Sequence, residues 1–132
     1  MNFYDDADVL AAYAVETQER LSSIEVTILR LKERPGAYDQ QIRAIFRDAH
    51  SIKSGANLLK LNNIGKLAHN LEDILHIFRK KRIFPDDNTI STLLEAIDKI
   101  RELTDNIRRS DTRNVTLQVA KLQDLCRCLD RQ

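Results

Sequence analysis

The chain has 132 residues, 42% of them hydrophobic and 31% charged, with a formal net charge of +1. That suits one soluble domain with a single hydrophobic core, and the near-neutral charge gives no general attraction to nucleic acid or an anionic membrane. No apolar run is long enough to span a bilayer, and Met1 to Asp8 lacks the basic-then-apolar pattern of a signal peptide, so a cytoplasmic protein is expected.

Apolar residues recur with a helical period almost everywhere. The first helix is predicted over about 6–33, with Leu10, Ala14, Leu21, Ile24, Ile28 and Leu31 on one stripe and Pro35-Gly36 as its stop. The second runs from Tyr38 or Asp39 to about Leu59, on a core face of Ile42, Ile45, Phe46, Ala49, Ile52, Ala56 and Leu59. Asn62 or Asn63 reads as the N-cap of a third helix that ends near Lys81 and turns Leu67, Leu71, Ile74, Leu75 and Phe78 inward.

After a break at Pro85-Asp86-Asp87, a fourth helix is predicted as far as about Arg109, through Ile90, Leu93, Leu94, Ile97, Ile100, Leu103 and Ile107. Ser110-Asp111-Thr112 reads as a second break and cap, before a fifth helix carrying Val115, Val119, Leu122, Leu125 and Leu129. Short connections make neighbours antiparallel. The expected fold is all-α: an up-down antiparallel four-helix bundle over about 6–109, with an additional C-terminal helix over about 111–131 on its end or side. Cys126 and Cys128 are two residues apart, which on a helix points them to nearly opposite sides, so both are expected as reduced thiols.

The informative stretch is Phe46-Arg47-Asp48-Ala49-His50-Ser51-Ile52-Lys53-Ser54-Gly55-Ala56-Asn57. With Ala49, Ile52 and Ala56 buried, His50, Lys53, Ser54 and Asn57 share a solvated face. Gly55 in mid-helix costs up to about 1 kcal/mol relative to Ala, which suggests that another surface must come close there. A histidine that accepts phosphate needs one ring nitrogen exposed and unprotonated, the other held by an acceptor, and a cation nearby. Lys53 can be that cation. The acceptor has to come from the next helix, where His69, Glu72 and His76 lie along the edge of the apolar stripe. His50 stands eleven residues before Leu61 and Glu72 eleven after it, so an antiparallel hairpin sets them at similar heights. Read on spacing alone, His50 could equally be an ordinary boundary residue and Glu72 an ordinary surface acid. A metal site on His69, Glu72 and His76 lacks the carboxylate pairs on several helices that a diiron bundle needs.

The segment His50-Ser51-Ile52-Lys53-Ser54-Gly55-Ala56 resembles the phosphorylation motif of histidine-phosphotransfer domains, above all the N-terminal domain of CheA-type chemotaxis kinases. Ile45-Phe46-Arg47-Asp48-Ala49 is similar to the approach to that histidine, and Leu67-Ala68-His69-Asn70-Leu71-Glu72-Asp73 to the third-helix segment with its histidine and glutamate. The resemblance implies that His50 accepts the phosphoryl group through Nε2, that Glu72 bonds Nδ1, that Lys53 and His69 shape the local electrostatics, and that Gly55 lets a partner approach. The chain departs from the family at Ser54 and Asn57, where glycine is usual or frequent. With no glycine-rich phosphate loop in the chain, ATP and Mg²⁺ are expected on a separate kinase catalytic domain, in cis or in trans. A response-regulator receiver domain is the expected second partner, and the isolated domain is expected to be monomeric. The alternative in another class is a helical adaptor without chemistry.

Overall fold

The stop at Pro35-Gly36 and the caps at Asp6 and Asp86 cut the chain into helices whose apolar stripes cannot be buried alone. In a computed structural model of the protein, describing residues 6–33 and 35–132, five α-helices result: α1 (Ala7–Glu33), α2 (Tyr38–Leu58), α3 (Asn62–Lys81), α4 (Asp87–Asp105) and α5 (Thr116–Asp130). Short 3-10 segments occupy Pro35–Ala37 and Ile107–Thr112, and no strand occurs among the described residues. Helix α1 packs on α2 and α4, and α3 on α2 and α4, which closes a four-membered bundle. Helix α5 lies along its side, against α3 and α4.

The predicted stripes are the core: Leu21, Ile24, Ile28, Ile42, Ile45, Leu67, Leu71, Phe78, Leu93 and Ile97 are fully buried. Leu122, Leu125 and Leu129 of α5 join the same cluster. Tyr38 adds a polar anchor within it, its hydroxyl donating to the carbonyl oxygens of Phe78 and Ile83.

The helix ends hold the differences from expectation. Asp6 caps α1, accepting from the amides of Asp8 and Val9, and Asp86 caps α4 through Thr89 N–H at 2.8 Å. The α2–α3 turn is closed by Leu61 N–H to Ala56 O and Lys60 N–H to Asn57 O, the Schellman pattern. Its left-handed residue is Lys60, at φ 58°, where glycine is usual, so the sequence carries no sign of it.

The N-cap of α3 is Leu61 rather than Asn62 or Asn63, and its own side chain accepts nothing. The cap comes from a distance. Asp111 accepts from the amides of Asn62 (3.2 Å) and Asn63 (2.9 Å), while the buried Asn63 side chain donates to the carbonyls of Ser110 and Arg113. Asp111 thus caps α3 instead of opening the fifth helix, and the fourth helix stops at Asp105 because Ile107–Thr112 tightens into this clasp. Asp111→Ala leaves two helix-terminal donors without their carboxylate, and a loss of about 1–2 kcal/mol is expected in urea unfolding. An unchanged midpoint would mean that water replaces the clasp.

Candidate functional site

The site lies on the α2–α3 hairpin, whose antiparallel register is fixed by the turn at Lys60 and by close packing of the two helices. A Cβ on Gly65 would stand 3.1 Å from Asn57 Oδ1 and 3.7 Å from Ala56 Cβ, so a small residue at 65 lets α3 approach α2. One turn or more above this contact, His50 and Glu72 meet across the pair.

His50 Nδ1 lies 2.7 Å from Glu72 Oε2, and Lys53 Nζ donates to Glu72 Oε1 at 2.7 Å. The His50 side chain is 57% exposed and that of Glu72 12%, so a solvent-facing ring is held from beneath by a nearly covered acid. Burial pushes the Glu72 carboxyl up, but the hydrogen bonds from Lys53 and His50 outweigh it and hold the group below its ordinary value of 4.5. Glu72 is therefore a carboxylate near neutral pH and can only accept. Nδ1 must carry the proton, which leaves Nε2 of the neutral ring with a free lone pair on the exposed side. Ser54 Oγ lies 3.4 Å from that nitrogen.

Geometry of this kind is what a phosphoryl acceptor on a helix requires, and comparison with known proteins places it in a family. Residues 8–110 match the Hpt domain family. The chain belongs to that family. Among curated relatives, the chemotaxis protein CheA of Salmonella typhimurium is 32% identical over 108 residues, which is 81% of this chain and 16% of that protein. The sensor histidine kinase CheAY of Helicobacter pylori is 31% identical over 112 residues, 83% of this chain and 14% of the relative. This Hpt domain thus spans about a sixth or less of the relatives it matches. Its fold is also that of the phosphorylated P1 domain of CheA3 from R. sphaeroides, solved in complex with CheY6, with a TM-score of 0.77 at 21% identity, covering 92% of this chain and 98% of that one.

Of the residues singled out in the sequence, the structure brings His50, Lys53 and Glu72 into direct contact. Lys53 is spent on Glu72 rather than standing free beside the ring. His69 is exposed and pairs with Asp73, Nε2 to Oδ2 at 3.5 Å. With Lys53, Asn57, Asn62, Gly65 and Lys66 it lines an open groove of about 580 Å³ between α2 and α3. His69, Glu72 and Asp73 have ligand atoms within 4.8 Å of one another, but both Glu72 oxygens are already held, one of them by an ammonium that repels a metal ion. His76 turns elsewhere, its ring 6.3 Å from that of Phe46.

Gly55 faces α1. A Cβ at this position would stand 2.8 Å from Tyr13 Cδ1 and closer still to Cε1. The surface that comes close in the structure is α1 of this Hpt domain. Tyr13 itself was missed. Its hydroxyl donates to the Ile52 carbonyl at 2.6 Å, and burial pushes it up to about 12, so it ties α1 to the helix that carries His50. Its place three residues after Leu10 was the signal. Ser54 stands four residues after His50, on the solvated face that the spacing assigns to both, and the structure sets its hydroxyl beside Nε2.

Proposed function

We propose that this Hpt domain accepts a phosphoryl group on His50 Nε2 and passes it to an aspartate of a response-regulator receiver. One observation carries the reading: an exposed imidazole whose far nitrogen is gripped at 2.7 Å by a mostly covered carboxylate. The proposed parent is a CheA-like histidine kinase, a reading supported by relatives far longer than this chain. ATP and Mg²⁺ belong to its catalytic domain, working in cis or in trans. The domain itself is proposed to be cytoplasmic and monomeric; no helix among the described residues is long and apolar enough to cross a membrane.

In the chemical step the Nε2 lone pair forms the new bond to phosphorus, and the leaving oxygen departs with the electrons of the broken P–O bond. Nδ1 keeps its proton throughout. The phosphorylated ring carries an added positive charge, which the Glu72 carboxylate faces directly, so the acid stabilises the charge that develops at the transition state. Lys53 keeps Glu72 ionised. Onward transfer reverses the bookkeeping: a receiver carboxylate attacks phosphorus, and the N–P pair returns to Nε2. Rate enhancement on the nucleotide side comes from positioning and charge stabilisation in the partners.

The test is incubation with a CheA-type kinase and labelled ATP. Label that is acid-labile and alkali-stable, and that maps to the peptide containing His50, is expected. No label with several competent kinases would leave the adaptor reading standing.

A further inference from the structure

Ser54 is one helical turn beyond His50 on the same exposed face, and its Oγ lies 3.4 Å from Nε2. A helical serine can instead bond back to the carbonyl four residues earlier; here the hydroxyl meets the imidazole. Because Nδ1 holds the ring proton against Glu72, Nε2 has none to give, and the hydroxyl must be the donor. At 3.4 Å the contact is at the weak end of hydrogen bonding. It therefore leaves the lone pair available and the hydroxyl free to turn.

The balance changes once Nε2 carries a phosphoryl group. The lone pair is consumed, and the nearest acceptors to the hydroxyl become the phosphoryl oxygens, which are anionic and attached to the atom the hydroxyl already faces. A bond to a charged acceptor is shorter and stronger than the one it replaces. Resting on the phosphotransfer reading above, we propose that Ser54 holds the phosphoryl group on His50 by donating to one of its oxygens, and so lengthens the life of the phosphohistidine. Hydrolysis requires a water oxygen to attack phosphorus while the N–P pair returns to Nε2. A donor fixed on the phosphoryl oxygens restrains the rotation of the group and occupies part of the face from which water arrives.

The experiment uses the whole chain and phosphoramidate, a small donor whose N–P bond breaks with loss of ammonia, so that no partner protein enters the measurement. After the donor is removed, phosphohistidine decay is followed by ³¹P NMR. Ser54→Ala is expected to decay roughly three- to tenfold faster than wild type, the range for loss of one exposed charge-assisted hydrogen bond. Ser54→Thr, which keeps a hydroxyl, should stay within about twofold of wild type. A purely structural role for Ser54 would be restored by neither hydroxyl nor methyl and would show in the circular dichroism melt. Equal decay of wild type and Ser54→Ala, or a Ser54→Thr variant that decays like Ser54→Ala, overturns the inference while leaving phosphotransfer intact. If neither phosphoramidate nor a kinase charges His50 at all, both readings fall.

Discussion

Glu72→Ala is expected to slow phosphoryl uptake about a hundredfold, against no uptake at all in His50→Gln. Loss of an orienting hydrogen bond to a functional imidazole typically lowers activity by roughly ten- to a hundredfold, and here the upper end applies because three consequences coincide. The ring loses its anchor across the hairpin, Nδ1 to Oε2 at 2.7 Å. The neutral ring becomes free to carry its proton on Nε2, where it blocks attack. Lys53, no longer bonded to Oε1, leaves an uncompensated ammonium beside a ring that must become positive. Glu72→Gln separates these effects: its amide oxygen still accepts from Nδ1–H but brings no charge, so it should fall between wild type and Glu72→Ala. Rates at saturating kinase and ATP, followed as label per chain, decide the order. A Glu72→Ala domain charged at the wild-type rate would remove the central element of the mechanism.

The same carboxylate makes a stability prediction of definite sign. Its folded pKa lies below the ordinary 4.5, so the folded state binds fewer protons than the unfolded state in that range. Its contribution is fully present above about 4.5 and is lost as pH falls through the lowered folded value. The Asp86 carboxyl is held down as well, by the Thr89 amide, so wild-type acid unfolding alone is not diagnostic. The difference between wild type and Glu72→Gln is, and it should shrink as pH falls below about 4.5.

How much of this was legible depended on chain separation. The pairing of His50 with Glu72 could be counted from the hairpin, because both sit on helices joined by a tight turn and equal steps from Leu61 set them level. The core was legible for the same reason: helical period assigns Ile42, Ile45, Ala49, Ile52 and Ala56 to one face without knowledge of what covers it. The α3 cap was not, since its acceptor Asp111 is 48 residues from Asn63 and Asn63 turned out to be a donor in the clasp. Lys60 in a left-handed conformation is equally silent, because the turn is imposed by packing on either side of it rather than by a glycine. Gly55 shows a third kind of limit. The sequence pointed to an approaching surface, but a glycine cannot say which, and the one the structure shows is a tyrosine 42 positions earlier in the chain.

The Tyr13 contact leads to an expected reversal of sign. Gly55→Ala alone is expected to destabilise the domain by about 1–3 kcal/mol, the cost of overpacking, because the new methyl meets the Tyr13 ring at 2.8 Å or less and pushes the hydroxyl from the Ile52 carbonyl. In a Tyr13→Ala background the space is empty, and the same substitution should raise stability by up to about 1 kcal/mol, since alanine is the better helix former. Urea unfolding of the two single variants and the double variant measures the coupling directly. The two readings of Gly55 diverge here. A glycine kept clear for a partner predicts that Gly55→Ala stabilises the isolated domain in both backgrounds and hinders only transfer to or from that partner. A glycine kept clear for Tyr13 predicts a less stable domain whose folded molecules still charge on His50 within about threefold of wild type, because the His50–Glu72 bond lies on the α3 side of α2 while the clash falls on the α1 side. Stabilisation in both backgrounds would return Gly55 to the partner surface.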